Sequence, residues 1–193
     1  HNYIVTADGT TLKYYKYGVQ LTYTDSLPSS TSSTAFANLR IAANTNSTPS
    51  AYLDGKLDQV AIFDYALSQA QVTQLYGSSS TGVGNPMALS PIPIAYYPLG
   101  DYSAFNGTEY LVANSALSGL YSRYALSYDG TNDYIDTNFS LDVTNDFSVS
   151  AWINIDSPTN TKYYLLGTRE ESTSASSSKG FVFQLNSSRE VQA

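Results

Sequence analysis

Residues 51–76, AYLDGKLDQVAIFDYALSQAQVTQLY, read as the closing unit of a β-sandwich, yet 117 of the 193 residues come after them. Lys56 to Tyr65 has a strand's alternation. Asp58, Val60 and Ile62 fall on one side and Leu57, Gln59, Ala61 and Phe63 on the other. Ser68 with Gln71 three positions on is a capping box, and Leu67 with Val72 can form the hydrophobic staple around it. Gly77 ends the helix predicted over 68–76. At about two turns that helix cannot stand alone, so it must dock on the sheet before it. A structural unit closes here, in the first half of the chain.

The residues on either side follow from that. Gly77 to Pro93, GSSSTGVGNPMALSPIP, is uncharged and rich in Ser, Gly and Pro, which is the chemistry of a linker. The expected layout is therefore 1–76 as the back of one domain, 77–93 as connector and 94–193 as the front of another. In the first part, Tyr3, Val5 and Ala7 alternate, Asp8-Gly9 makes a hairpin turn, and Leu12 and Tyr14 resume the apolar face. Leu27 to Ser33 and Asn44 to Ser50 read as loops around a strand at Ala35 to Ala43, and Asp54-Gly55 as a turn. In the second part, strands are expected at 94–99, 124–129, 134–139, 147–155, 163–167 and 180–185, with polar loops over 100–114 and 171–178. FSVSAWINI is the clearest of them. Phe147, Val149, Ala151, Ile153 and Ile155 share one face, and Ser148, Ser150, Trp152 and Asn154 the other. Short strands with frequent turns mean an all-β fold, an antiparallel two-sheet sandwich.

Composition narrows the function classes. A net charge of −7 with no basic cluster argues against nucleic acid as a partner. There is no Cys, so no disulfide, thiolate metal site or cysteine nucleophile, and no apolar run long enough for membrane insertion. Charged residues are only 13%, against 18 Tyr, a balance associated with extracellular, cell-surface or virion-surface proteins. The chain starts at His1 without a signal peptide, which reads as a piece cut from a longer protein.

HNYIVTADGTTLKYY, LRIAAN and LDGKLDQVAIFDYALSQAQVTQLY resemble the C-terminal half of the laminin-G-like jelly rolls of the concanavalin A-like lectin/glucanase superfamily. IAYYPLGDYSAFNG, YALSYDGTNDYID and FSVSAWINI resemble the N-terminal half. The halves stand in reversed order, as in a tandem array sampled across one junction. Lys16-Tyr17-Gly18 departs from the family's usual Asn-Gly or Asp-Gly turn. Two arrangements follow: one circularly permuted, incomplete sandwich closed across the connector, or two incomplete lobes with exposed edges. Contacts from Val60 and Ile62 to residues after 94 distinguish them.

The resemblance also implies candidate chemistry. Hydrolases of the superfamily carry alternating carboxylates along one strand, whereas Glu109, Glu170, Glu171 and Glu190 form no such pattern, and His1 is the sole histidine. A non-catalytic module is expected. The family often holds Ca²⁺ between its early and last strands, and Asp101 and Asn106 with Asp58 occupy matching stretches. Glycan recognition uses aromatic faces, for which Trp152, Tyr163, Tyr164 and Tyr52 are the candidates, with Tyr15 and Tyr17 behind them. The function implied is a carbohydrate-binding or adhesion module of a repetitive extracellular or phage-surface protein, its partners glycans and neighbouring repeats or subunits. A structural spacer of a virion or appendage is the alternative from another class, and an accessory domain of a glycoside hydrolase a further one.

Overall fold

The computed structural model describes residues 1–26, 39–44, 51–78, 83–100, 103–105, 110–112, 125–141, 143, 145–156, 162–168, 181–188 and 190–192. The expected loops at Leu27 to Ser33 and 45–50, all of the Ser-rich loop at 171–178, and Asp101, Asn106, Glu109, Glu170 and Glu171 lie outside these residues. The described residues form fourteen strands: β1 (Asn2–Asp8), β2 (Thr11–Lys16), β3 (Val19–Ser26), β4 (Arg40–Ile41), β5 (Asp54–Phe63), β6 (Ala95–Tyr97), β7 (Ser103–Phe105), β8 (Tyr110–Val112), β9 (Leu126–Asp129), β10 (Ile135–Asp136), β11 (Phe147–Ile155), β12 (Lys162–Gly167), β13 (Val182–Asn186) and β14 (Val191–Gln192). The helix α1 spans Gln69–Tyr76.

All pairings among them are antiparallel. The larger sheet runs β3-β2-β1-β11-β5-β6, with β9 beside β6 on the far edge of β5, and the smaller runs β10-β4-β12-β13-β14. Both sheets mix strands from before and after the connector. Val60, Ala61 and Ile62 pair with Tyr97, Tyr96 and Ala95, while Ser148, Val149 and Ser150 pair with Phe63, Ile62 and Ala61. Asn2 to Ala7 lie along the other edge of β11. The strands from the two ends of the chain therefore make one sandwich. Between the sheets lies one apolar core, in which Val5, Tyr14, Val60, Ile62, Phe147 and Val149 of the larger sheet meet Ile41, Tyr163, Leu165, Phe183 and Leu185 of the smaller.

Local chemistry explains most of these elements. Gly9 takes φ 67° in the Asp8-Gly9 hairpin, and Thr10 N–H donates to Asp8 O. On β11 the odd-numbered residues from Phe147 to Ile155 face the core, as alternation requires. On β5 the simple alternation fails. Leu57 joins Val60 and Ile62 in the core, whereas Ala61 and Phe63 pack on the outer face. The cause is a β-bulge: three residue steps from Asp58 to Ala61 oppose two from Trp152 to Ser150, and Gln59 takes φ 49°. Asp54 and Gly55 are not a turn either but the first residues of β5. Gly55 is there because β11 comes so close that a Cβ would stand 2.3 Å from Asn154 O.

The outer face of the larger sheet carries a second, smaller core of Ile4, Tyr15, Ala61, Phe63, Leu67, Val72, Leu75, Leu89 and Tyr96 under α1. The capping box forms in full, with Ser68 N–H donating to Gln71 Oε1 at 2.9 Å and Gln71 N–H to Ser68 Oγ. The described part of the connector is docked here, not free. It makes a short 3₁₀ turn at Pro86–Ala88, Tyr65 OH donates to Pro91 O at 2.7 Å, and Gly84 N–H donates to Leu75 O. Fully buried Ser148 ties the two chain portions together: its hydroxyl donates to Tyr65 O at 2.8 Å and accepts from Leu67 N–H at 2.9 Å.

Three outcomes follow. Ser148→Ala leaves the buried Leu67 N–H and the half-buried Tyr65 carbonyl without that partner, so urea unfolding should show a loss of about 1–3 kcal/mol; a loss under about 0.5 kcal/mol contradicts the clamp. Residues 1–93 and 94–193, expressed separately, each expose a face of β5 or β11 and should fail to melt cooperatively until mixed. Burial raises the phenols of Tyr97, Tyr65 and Tyr23 above their ordinary value. A raised phenol stabilises the fold fully below the unfolded pKa of about 10 and loses that contribution as pH climbs through the folded value. Thermal midpoints should therefore fall above about pH 10, less steeply in Tyr97→Phe.

Candidate functional site

The β2–β3 connection is a two-residue turn in which Tyr17 (φ 56°) and Gly18 (φ 75°) are both left-handed, as a type I′ hairpin needs. Gly is at home there and Tyr is not, because its Cβ crowds the backbone at positive φ. What the turn gains is a dock against α1. Gln69 Nε2 donates to Gly18 O at 2.7 Å, and a Cβ on Gly18 would stand 3.0 Å from the Cβ of Tyr76. Only glycine lets the last residue of the helix settle so closely on the hairpin.

Four rings converge at this end of the outer face. Tyr76 stacks on Trp152 with centroids 5.9 Å apart and planes 14° off parallel. It meets Tyr17 edge-on at 6.0 Å and 61°, and Tyr17 in turn lies 5.2 Å from the His1 ring, its hydroxyl against Nδ1. Lys16 Nζ stands 5.5 Å over the Tyr17 ring. Trp152 and Tyr76 are half-buried, and Tyr17 is 39% exposed. These rings thus form a surface cluster and not a continuation of the core.

Register places polar groups beneath them. Asn2 pairs with Trp152, and Trp152 with Asp58, so one row crosses β1, β11 and β5 on this face. Tyr17 N–H donates to Asn2 O at 3.1 Å, which puts Tyr17 on the other side of Asn2. Asn2 is wholly buried, and neither Oδ1 nor Nδ2 has a hydrogen-bond partner. Asp58 is half-buried and Asn154, one step along the same face, is exposed.

The remaining candidates lie elsewhere. Tyr163 is fully buried in the main core, on the same face of β12 as Leu165, and fills it instead of offering a ring to a ligand. Tyr164 is on the opposite face, 6% exposed and paired with Gln184. Tyr52 belongs to a second aromatic pair, stacked on Tyr134 at 6.3 Å and 29°. The Arg40 guanidinium lies 5.0 Å over Tyr134 and is engaged by Asp136, through Nε at 2.5 Å and Nη2 at 3.1 Å, and by Asn44 O at 2.9 Å. Tyr15 is in the outer-face core. For calcium, Asp58 stands beside Trp152, and Asp101 and Asn106 are outside the described residues. Among the described residues no three His, Asp or Glu side chains gather where they could hold a metal ion.

Residues 1–73 match a family model described as the concanavalin A-like lectin/glucanases superfamily. The two antiparallel sheets are those of a concanavalin A-like β-sandwich. No curated protein and no solved structure matches the chain. The match takes in Asn2, Tyr17, Tyr52 and Asp58, and it ends before Tyr76 and Trp152.

Two members of the site were not among the expected residues. Tyr76 reads in sequence as the end of a docking helix, and its partner lies 76 residues away on β11. Asn2 reads as the polar alternate of a strand, a position whose burial depends on what α1 and the hairpin bring over it.

Proposed function

We propose that this chain is a non-catalytic carbohydrate-binding or adhesion module of a larger, repetitive extracellular or phage-surface protein. The observation that carries this reading is the half-exposed Trp152 indole, with the Tyr76 ring stacked against it, Tyr17 edge-on to Tyr76, and Asp58 and Asn154 on the same sheet face. Sugars present C–H faces that pack on aromatic rings and hydroxyls that bind carboxylate and carboxamide side chains. Asp58 is the carboxylate in the row of Trp152, and a retaining hydrolysis wants two about 5–5.5 Å apart. That favours binding over cleavage. The docked connector favours a second reading, a spacer that holds neighbouring sandwiches at a set distance, because a segment tied down at Pro91 and Gly84 transmits geometry better than a free coil.

A glycan array separates the two. On the carbohydrate reading the protein binds at least one neutral oligosaccharide, and Trp152→Ala weakens that binding about tenfold or more, which corresponds to roughly 1.4 kcal/mol of stacking on the indole. The variant's far-ultraviolet spectrum should stay that of the parent. Silence of the wild-type protein across the array removes the carbohydrate reading and leaves the spacer.

A further inference from the structure

Asn2 is the feature of the site that the fold itself does not explain. Its side chain carries two N–H donors and an oxygen acceptor, and all of them are buried without a partner. Such a group destabilises the native state relative to an apolar residue of its size. What hides it is identifiable. Trp152 flanks it on β11 and Tyr17 on the hairpin. Tyr76 meets both of those rings, stacked on Trp152 at 5.9 Å and edge-on to Tyr17 at 6.0 Å.

Tyr76 is also placed to move. It is the last residue of α1, followed by Gly77 at φ 76°. The helix end is held one residue earlier, where Leu75 is buried and Leu75 O accepts from Gly84 N–H at 3.2 Å. A turn of the Tyr76 ring about its own side-chain bonds breaks neither this contact nor the Gly77 N–H bond to Thr73 O.

We propose that Tyr76 is a gate over Asn2, and that the opened site takes a neutral sugar whose vicinal diol pairs with the Asn2 carboxamide while its ring stacks on Trp152. This deepens, and rests on, the carbohydrate reading. Two adjacent hydroxyls match a carboxamide: one donates to Oδ1 and the other accepts from Nδ2. Asp58 in the same row and the net charge of −7 disfavour acidic sugars.

The test uses the whole chain, calorimetric titration and thermal melting, with methyl α-mannoside, methyl β-galactoside and the methyl glycoside of glucuronic acid as probes. Asn2→Leu replaces the buried carboxamide by an apolar group of similar size. It should raise the melting temperature by roughly 2–6 °C while weakening the neutral glycosides tenfold or more. Tyr76→Ala removes the gate and should tighten binding several-fold. A wild-type protein that binds a neutral glycoside, with Asn2→Leu binding it equally well, overturns the role of Asn2 and leaves the carbohydrate reading standing. Melting lowered in Asn2→Leu with binding unchanged marks Asn2 as a structural residue. Should Asn2→Leu not fold, Tyr76→Ala decides: tighter binding supports the gate, and a loss like that of Trp152→Ala makes Tyr76 part of the platform and overturns it. Equal affinity for the glucuronoside overturns the ligand class. If the wild type binds none of these glycosides, nor any glycan of a wider array, this proposal and the carbohydrate reading fall together.

Discussion

The pairing of β5 with β11 is the interaction on which the rest of the molecule depends. These are the two longest of the described strands, of ten and nine residues, and they come from opposite sides of the connector. Each is lined on its other edge, β11 by β1 and β5 by β6 and β9. Taking either away strips the middle out of the larger sheet. Three residues of that face, Val60, Ile62 and Val149, are fully buried in the main core. At about 25 cal/mol per Å² of apolar surface, each contributes on the order of 1.5–3 kcal/mol. A single cap or turn contributes less, typically about 1 kcal/mol.

The same pairing decides what the outer face looks like. Without the bulge at Gln59, Leu57 would stand on the outer face and Asp58 would point into the core. The extra residue turns that end of β5 over, so that Leu57 is buried and Asp58 joins the row of Trp152 and Asn2. A bulge often re-aims a side chain in this way. Here it puts a carboxylate beside an indole on a sheet face that, further along, is apolar and covered by α1.

How far such a structure is legible in its sequence depends on whether the deciding contact is local. The Asp8-Gly9 hairpin, the capping box at Ser68 and Gln71, and the two faces of FSVSAWINI are set within a few residues, and each is found as read. The sandwich class follows from them. The bulge could not be seen, because its unpaired residue is a glutamine at φ 49°, where a glycine would have marked it. Asp54-Gly55 carries a turn signal but is a strand, since the glycine answers to the backbone of β11 and not to a bend. Of the aromatic candidates, Trp152 and Tyr52 keep a surface, while Tyr163 and Tyr164 are covered. A Tyr-rich strand cannot show by itself which ring will be covered, because that depends on the layer packed over it.

The aromatic site has a thermodynamic consequence that its location makes unavoidable. Trp152 comes from β11, Asn2 and Tyr17 from the first hairpin, and Tyr76 from the end of the helix that closes the first portion. No portion of the chain contains the site by itself. Any ligand that rests on Trp152 and Tyr17 together binds only the closed sandwich, and therefore stabilises it by RT ln(1 + [L]/Kd), about 2.7 kcal/mol at a hundredfold excess over Kd. Tyr76 plays the opposite part in the free protein. Its stack on Trp152 already joins the two portions, so a ligand that displaces it must replace that stack before it adds any stability. An unpartnered Asn2 beneath the ring supplies the means: hydrogen bonds that the closed gate does not make become available as the stack is broken. The stacking given up and the hydrogen bonding acquired are of similar size, each about 1 kcal/mol. The balance between them sets the affinity of such a site, which places it among weak sites.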